Sequence, residues 1–323
     1  AGGMGAVYLA EQSTPKRQAA IKVLHKSAVV EDPTLVERFK REARAALSLS
    51  HPVIVNVYDF GELEDATLFL AMELVDGVSL TEKLREAPLD PKWCADVVAQ
   101  MAEGLSEAHD KSIIHRDLKP DNVFVTEVRG HTLPKILDFG VAKLTDEVDL
   151  TKTGLIYGTP KYMSPEQIRG EKLDGRSDQY SLGIILYQML VGEVPIKSET
   201  PIGYIIAHQN DIPVPPSELR PDLELPAGLE QTVLRMLEKE RDRRFPSMRA
   251  LRDALVAIRD GRAPSGLDAP AAGGRGAKVS ASGSVGGNTR AAESEIGSGR
   301  LMKLLVIGIL ILGIAFLLLK YLL

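Results

Sequence analysis

Hydrophobic residues follow two different patterns in the first part of the chain. Short apolar runs at residues 19–24, 53–60 and 67–73 predict strands, since each run is bounded by polar residues and is too short for a helix. Residues 33–49 instead repeat apolar positions every three or four residues, which predicts one amphipathic helix. The region up to residue 73 is therefore predicted to be a small, strand-rich lobe with one main helix.

The pattern becomes helical from residue 91 onward. Residues 176–191 carry apolar side chains on almost every side, which predicts a helix buried on all faces. An earlier apolar stripe consists of Val97, Val98, Met101, Leu105 and Ala108. Weaker helical patterns follow at residues 201–210, 228–237 and 247–259. Together these patterns predict an α+β fold with two lobes, a small one at residues 1–73 and a larger, mostly helical one at 76–259.

The last part of the chain has no globular pattern. Gly, Ala and Ser dominate residues 260–300, which predicts a flexible linker because too few apolar side chains are present to offset the entropy of ordering. Residues 301–323 contain an uninterrupted apolar run at 304–319, bordered by Lys303 and Lys320. This run predicts one transmembrane helix whose lysines reach the lipid headgroups. A helix buried in a soluble domain is the alternative.

Composition and charge narrow the classes of function. The 323 residues carry a net charge of -5 and a pI near 5.8, which argues against a general nucleic-acid-binding protein. The single cysteine, Cys94, excludes an intrachain disulfide, fits a reducing compartment and is predicted to be a core residue beside Trp93. The chain begins at Ala1, without methionine, inside a glycine-rich stretch. We therefore expect a first strand to precede it in a longer protein.

Residues 113–140 bring together acidic, amide and lysine side chains. Asp117 can accept a proton from a hydroxyl group, and Lys119 adds a cation nearby. Asn122 and Asp138 offer the oxygen ligands that Mg²⁺ prefers. Phosphoryl transfer needs this set, because it depends on alignment, a proton acceptor and positive charge at the transferred group. The alternative is two ordinary loops, which the order and spacing of so many specific residues disfavour.

Two further features predict a nucleotide site. Lys22 is the one charge in a strand predicted to be buried, so it needs an ionic partner. Glu42 borders the apolar stripe of the predicted helix and is the partner we expect, with a solvated surface charge as the alternative. Glycines at the start of the chain would let the backbone fold closely over phosphates. The residues concerned are Gly2, Gly3, Gly5 and the adjoining Val7.

These motifs resemble those of the protein kinases. The sequences that carry the resemblance are His115-Arg116-Asp117-Leu118-Lys119-x-x-Asn122, Asp138-Phe139-Gly140 and Ser164-Pro165-Glu166. The opening, with Gly2 and Gly5 in the second and third positions of a Gly-x-Gly-x-x-Gly-x-Val loop, and the run at 158–167 are most similar to the eukaryotic-like Ser/Thr kinases of bacteria. The resemblance covers about residues 1–259 and implies the two-lobed protein-kinase fold.

The resemblance implies roles in nucleotide binding. In the family, the lysine that matches Lys22 contacts the α- and β-phosphates of ATP and pairs with the helix glutamate, here Glu42. Met72 would guard the back of the adenine pocket, and the backbones of Glu73 and Val75 would hydrogen-bond to adenine. The cofactors implied are ATP and Mg²⁺, with Mn²⁺ as a second candidate metal.

The resemblance also implies structural roles for three residues. Asp178 would anchor the backbone of the catalytic loop, although an ordinary charge at a helix N-terminus is the alternative. Glu166 and Arg244 would form an ion pair. These positions lie far apart in the sequence, so their proximity is an expectation that only the fold can test.

The resemblance implies a Ser/Thr protein kinase. The apolar run at 304–319 predicts that one helix holds it at the cytoplasmic (inner) membrane, with the kinase domain in the cytoplasm. Lys119 and Thr159 resemble the Ser/Thr branch of the family. The partners implied are protein substrates, the lipid bilayer and a second copy of the chain for autophosphorylation, but no nucleic acid. Two alternatives are a catalytically silent pseudokinase that acts as a scaffold, and a small-molecule phosphotransferase of related fold.

Regulation is predicted from the segment between Asp138 and Glu166. Thr151 and Thr153 lie in a polar stretch there, and Arg116 precedes the catalytic aspartate as a cation in need of an anion. Phosphate on either threonine would add about -1.5 to -2 charge and could order the segment through Arg116.

Overall fold

The structure is a computed structural model that describes residues 5–24, 35–65, 67–139 and 160–264. The chain divides into a unit at residues 1–272 and a second at 273–323, and every described residue belongs to the first. Several predictions lie outside the described residues. They concern the glycines Gly2 and Gly3, the threonines Thr151 and Thr153, nearly all of the linker at 260–300, and the membrane helix at 301–323.

The smaller lobe is built on a four-stranded antiparallel sheet. Its strands are β1 (Gly5–Ser13), β2 (Lys16–Leu24), β3 (Val57–Glu62) and β4 (Leu68–Glu73), in the order β1-β2-β4-β3. One helix, α1 (Leu35–Leu47), packs on β3, as its apolar stripe predicts. The buried core between helix and sheet consists of Leu24, Phe39, Ala43, Leu68 and Leu70.

One predicted strand begins later than expected. The run at 53–60 predicts a single strand, but β3 starts at Val57. The first residues of the run instead pair with the larger lobe, since the Val55 amide donates to the Ile136 carbonyl at 2.9 Å and the Ile136 amide to the Val53 carbonyl at 2.7 Å. A buried loop and a buried strand have the same apolar composition, so the pattern could not separate them.

The larger lobe combines a small sheet with helices. The sheet has the order β5-β6-β7, with strands β5 (Val78–Ser79), β6 (Val123–Val128) and β7 (His131–Ile136). Helices α2 (Leu80–Lys83) and α3 (Pro91–Asp110) precede β6. The later helices are α4 (Pro165–Ile168), α5 (Arg176–Val191), α6 (Pro201–Asn210), α7 (Pro216–Leu219), α8 (Leu229–Met236) and α9 (Met248–Arg259). Short 3₁₀ turns occur at Leu84–Glu86, Pro120–Asn122, Pro160–Tyr162 and Arg241–Arg243.

Helix α5 forms the centre of the larger lobe. Its bounds match the prediction, and all of its residues except Arg176 and Gln188 are buried. Gly183 allows α8 to approach closely, because a Cβ there would lie 2.8 Å from the Cβ of Met236. The predicted stripe of α3 packs in the same core, which includes Cys94. Burial raises the pKa of the Cys94 thiol, which fits its predicted role as a core residue.

No helix within residues 5–24, 35–65, 67–139 and 160–264 has both the length and the apolar character needed to cross a bilayer.

Candidate active site

The predicted catalytic residues meet in the loop between α3 and β6. Lys119 Nζ lies 2.9 Å from Asp117 Oδ2, and Asn122 Nδ2 donates to the same oxygen at 3.1 Å. Asn122 Nδ2 also donates to the Asp117 carbonyl at 2.8 Å, which closes the loop on itself. Two donors therefore fix one carboxylate oxygen of Asp117, while Oδ1 is held by no residue that the structure describes.

Asp178, at the start of α5, hydrogen-bonds to the backbone of this loop. Its carboxylate accepts hydrogen bonds from the His115 amide at 2.9 Å and the Arg116 amide at 3.0 Å. Arg116 has a φ of 67°, a left-handed conformation that costs energy in a non-glycine residue and that these bonds stabilise. Burial raises the pKa of Asp178, but hydrogen bonds from His109 and the His115 amide outweigh it, so the net pKa is lowered. Asp178 thus makes the contacts with the backbone of the catalytic loop that its predicted role requires.

A second chain of contacts positions Asp138. His115 Nε2 lies 2.8 Å from the Leu137 carbonyl, and the Leu137 amide donates to the Asn122 carbonyl at 2.9 Å. The rings of His115 and Phe139 pack with their centroids 4.8 Å apart. Asp138 itself has a φ of 59°, so its side chain leaves the backbone in a direction that a regular strand would not give. The loop that holds Asp117 thus also holds Asp138.

The predicted pair of Lys22 and Glu42 is wrong for this structure. Lys22 Nζ instead bonds to Asp138 Oδ2 at 2.7 Å, across the two lobes. Within the part of the chain described, Glu42 Oε2 is buried without a hydrogen-bond partner. Desolvation raises the pKa of Glu42 to about 7, against the opposing charges of three arginines. These are Arg116, Arg41 and Arg38.

The end of the glycine-rich stretch lies beside Lys22, on the neighbouring strand. Gly5 begins β1, and Val7 is the register partner of Lys22 on the neighbouring strand. The side chain of Val7 is 60% exposed, as expected of a residue that would cover a ligand. Val7 and Lys22 are therefore brought together as predicted.

Met72, which is predicted to guard the back of the adenine pocket, is buried in the smaller lobe. It is 5% exposed and packs with Ala20, Val55 and the partly buried Val75. The cavity behind it, which Leu70 also lines, measures only about 10 Å³. That volume holds about one water molecule, so Met72 leaves no room for a larger group behind it.

Glu73 is held by residues that the sequence did not single out. Its carboxylate accepts from Lys135 Nζ at 2.5 Å and from the amide and side chain of Asn56 at 3.2 and 3.1 Å. The Glu73 amide donates to the Asn56 carbonyl at 2.9 Å. Lys135 lies on β7 of the larger lobe and Glu73 ends β4 of the smaller one. The ion pair thus joins the end of β4 to the larger lobe. It lies next to the backbone of Glu73, which is predicted to hydrogen-bond to adenine.

Replacing Lys135 with methionine should weaken nucleotide binding. The change removes a half-buried, charge-assisted bond while keeping the aliphatic stem, so we expect the KM for ATP to rise about tenfold, or about 1.4 kcal/mol. We expect kcat at saturating ATP to change by less than about twofold. Steady-state kinetics over a range of ATP concentrations measure both. Lys135→Arg, which preserves the charge, should keep the KM low, and an unchanged KM in Lys135→Met would contradict the assigned role.

Glu166 and Arg244 form the predicted ion pair. Arg244 Nη1 and Nη2 contact the two carboxylate oxygens of Glu166 at 2.6 and 2.9 Å, and both side chains are fully buried. Ser177 Oγ donates to Glu166 Oε1 at 2.8 Å. Burial raises the pKa of Glu166, but its bonds to Arg244 and Ser177 outweigh this effect and lower the pKa. Further bonds from Arg244 reach the carbonyls of Arg176, Glu238 and Lys239.

Sequence analysis did not identify the residues that hold the predicted site residues in place. His109 contacts the Asp178 carboxylate at 2.7 Å across 69 positions of the chain. Lys135 and Asn56 likewise reach Glu73 from distant elements. Lys135 stands directly before the apolar Ile136 and Leu137, so the argument applied to Lys22 could have pointed to it. No periodic signal marks His109 or Asn56.

Comparison with known proteins agrees with this geometry. The protein kinase domain family matches residues 1–256. The chain is 43% identical over 263 residues to the serine/threonine-protein kinase pkn3 of Myxococcus xanthus, covering 80% of this chain and 48% of that protein. It is 42% identical over 259 residues to pkn2 of the same organism, covering 79% and 31%. With PknB of Mycobacterium tuberculosis it shares 38% identity over 269 residues, covering 81% and 42%.

The chain thus spans less than half the length of each of these curated relatives. The family match covers both lobes and every catalytic residue described above. Its relatives are bacterial proteins named as serine/threonine-protein kinases. On these grounds the chain belongs to the protein kinase family.

Proposed function

We propose that this domain is a Ser/Thr protein kinase that transfers the γ-phosphate of ATP to serine and threonine hydroxyls of proteins. The observation that carries the proposal is the geometry of Asp117, whose Oδ2 is fixed by Lys119 and Asn122 while Oδ1 is left for a substrate. The names of the relatives and the position of Lys119, two residues after Asp117, support Ser/Thr specificity.

The chemistry follows from these positions. The acceptor hydroxyl oxygen forms a bond to the γ-phosphorus as the bond to the β,γ-bridging oxygen breaks, and ADP leaves. Asp117 Oδ1 takes the hydroxyl proton, and the Lys119 ammonium offsets negative charge on the transferred group. Lys22 would hold the α- and β-phosphates, and the glycine-rich stretch would cover them.

The residues present fit a divalent metal ion. Asp138 Oδ1 is buried and has no hydrogen-bond partner among the described residues, which is costly for a carboxylate unless a cation is bound there. Asn122 donates through Nδ2, so its amide oxygen remains available as a second hard ligand. Bound Mg²⁺, with Mn²⁺ as a second candidate, would supply positive charge at the β- and γ-phosphates.

The test is a transfer assay on the full chain. The purified chain in detergent is incubated with labelled ATP, Mg²⁺ and a mixed library of Ser, Thr and Tyr peptides, and the products are mapped by mass spectrometry. Label on serine and threonine supports the proposal. Nucleotide binding without transfer would identify a pseudokinase scaffold. A parallel incubation replaces the peptides with a mixture of small metabolites, and label found only there would identify a small-molecule phosphotransferase.

We also propose activation by phosphorylation of Thr151 or Thr153, carried out between two copies of the chain. Among the residues described, Arg116 forms no ion pair, and its charge acts on the buried Glu42 carboxylate only at longer range, so its guanidinium can still bind a phosphate. The Thr151→Ala/Thr153→Ala variant should lose about tenfold in activity, the value of about one charge-assisted hydrogen bond. Thr145→Ala is the matched control and should remain active. Equal activity of the double variant and the unmodified chain would contradict the switch.

The proposed location is the cytoplasmic membrane, with residues 301–323 as the anchor and the kinase domain inside. Arg290, Arg300 and Lys303 lie just before the apolar run and only Lys320 follows it, an asymmetry that agrees with the positive-inside rule. A flexible linker of about 40 residues would span roughly 30 to 40 Å. Protease added to intact cells should remove a tag fused after Leu323 and spare the kinase domain. Digestion of the kinase domain would overturn this orientation.

A further inference from the structure

A polar pocket lies beside the catalytic loop, three of whose residues line it. Its volume is about 290 Å³. The polar side chains that line it are those of Thr81, Lys119, Asp121, Lys161, Tyr162 and Gln188. Because Lys119 bonds to Asp117, the pocket opens next to the group that would receive the acceptor hydroxyl. A protein substrate bound at Asp117 would therefore place a neighbouring residue against this surface.

One wall of the pocket is the 3₁₀ turn Pro160–Tyr162, whose backbone is hydrogen-bonded to side chains of α5 and α6. The Lys161 carbonyl lies 3.1 Å from His208 Nε2 on α6. The Tyr162 carbonyl accepts from Ser181 Oγ on α5 at 2.8 Å. The Tyr162 hydroxyl also donates to Gln188 Oε1 on α5 at 2.8 Å. The position of the turn, and with it the shape of the pocket, thus depends on these three bonds to the helices.

The bond from His208 is the last in a series of hydrogen bonds in which each group donates to the next. Lys239 Nζ donates to the Tyr180 hydroxyl oxygen at 3.2 Å, since an ammonium group can only donate. The Tyr180 hydroxyl lies 3.0 Å from His208 Nδ1 and can give its own proton there. Nδ1 then accepts, so Nε2 carries the ring proton and donates to the Lys161 carbonyl.

Burial keeps this arrangement in one protonation state. His208 is 0% exposed. Desolvation, helped by the charge of Lys239, lowers the pKa of His208 to about 4, so the ring is neutral at neutral pH. Desolvation also lowers the pKa of Lys239 to about 8, which leaves most of it charged at pH 7. A neutral ring with a donor on one side has a single tautomer available.

We propose that His208 is a positioning residue for the protein substrate, acting through the Lys161 carbonyl on the wall of the pocket beside Asp117. The ligand of the pocket is a polypeptide segment next to the phosphorylated residue. The inference rests on the proposed kinase function, but neither His208 nor Tyr180 belongs to the motifs that predicted it. Lys239 and Tyr180 set the tautomer that lets His208 donate.

The test compares four variants of the full chain with an acceptor peptide that the unmodified chain phosphorylates. His208→Leu removes the donor, and the KM for peptide should rise about tenfold, while the KM for ATP and ATP hydrolysis without peptide change by less than about twofold. Tyr180→Phe keeps the aromatic ring but removes the hydroxyl that links Lys239 to His208 by hydrogen bonds. It should raise the peptide KM about threefold. His208→Gln restores a donor and should stay within about threefold of the unmodified chain. Gln209→Leu, the next residue on α6, is the matched control.

Hydrogen exchange gives a second measurement that does not need catalysis. Amides of the segment at 160–168 should exchange faster in His208→Leu and in Tyr180→Phe, but not in the Gln209→Leu control. Unchanged peptide KM and unchanged exchange would overturn the inference. Equal losses in peptide KM, ATP KM and basal hydrolysis would reduce His208 to general support of the fold. If His208→Leu does not fold, Tyr180→Phe decides. Absence of transfer by the unmodified chain would refute the kinase proposal instead, and the exchange data would still test His208.

Discussion

Replacing Asp117 with asparagine should lower kcat by about 10²-fold to 10⁴-fold, the usual contribution of a positioned proton acceptor. Asparagine has nearly the same shape, but its amide cannot take the proton of the attacking hydroxyl. Lys119 and Asn122 would also lose the negative charge that now orients them. The measurement is single-turnover transfer to peptide at saturating ATP.

The fold should survive this change. The Asp117 side chain is 26% exposed and belongs to neither hydrophobic core, so the thermal midpoint should move by only a few degrees. Asp110→Asn is the matched control, because Asp110 is an exposed acid at the end of α3 and should leave kcat unchanged. Transfer by Asp117→Asn at more than about a tenth of the unmodified rate would refute the role of proton acceptor.

Replacing Arg244 with methionine should lower the free energy of unfolding by about 3 to 5 kcal/mol, because it leaves the buried Glu166 carboxylate without its charge partner. Three backbone carbonyls would lose their donor as well. Urea unfolding of the full chain, followed by tryptophan fluorescence, measures the loss. The double variant Glu166→Gln/Arg244→Met should lose less than Arg244→Met, since no unpaired charge remains buried.

Two comparisons make this prediction specific. Arg249→Met removes the exposed pair with Asp110 and should cost at most about 1 kcal/mol. The pKa of Glu166 is lowered in the folded protein, so its contribution to stability is present above its unfolded pKa and is lost as the pH falls. Stability of the unmodified chain should therefore decline as the pH drops below about 4.5, the ordinary value for the group. A stability loss under about 1 kcal/mol in Arg244→Met would contradict the assigned role.

Local motifs and periodicity predicted most of the larger lobe. The bounds of α5 and α6 agree with the apolar pattern, and Asp117, Lys119 and Asn122 meet because they share one short loop. Their mutual distances are nearly fixed by covalent connection. The spacing of residues in the sequence therefore predicts their proximity when they lie in the same short loop.

Contacts between lobes were harder to predict. Lys22 needs a carboxylate, and both Glu42 and Asp138 could serve, because the choice depends on how α1 is placed against the sheet. The pattern fixes which face of α1 is buried but not its rotation or shift along the sheet. His208 lies 47 positions from the carbonyl it bonds, in a helix whose sequence shows no motif. Such pairs follow from tertiary packing alone.

Helix α5 supplies side chains to nearly every part of the site on the larger lobe. Asp178 holds the catalytic loop, Ser177 contacts Glu166, and Ser181 and Tyr180 act on the turn Pro160–Tyr162, directly and through His208. These groups project from one rigid helix, so any shift of the helix moves all of them together. A displacement of the whole helix would carry loop and turn together and preserve their spacing. Insertion of a single residue between Asp178 and Tyr180 would rotate the part of the helix that carries Tyr180 and Ser181 by about 100° relative to the part that carries Ser177 and Asp178, and would misalign the two halves of the site at once.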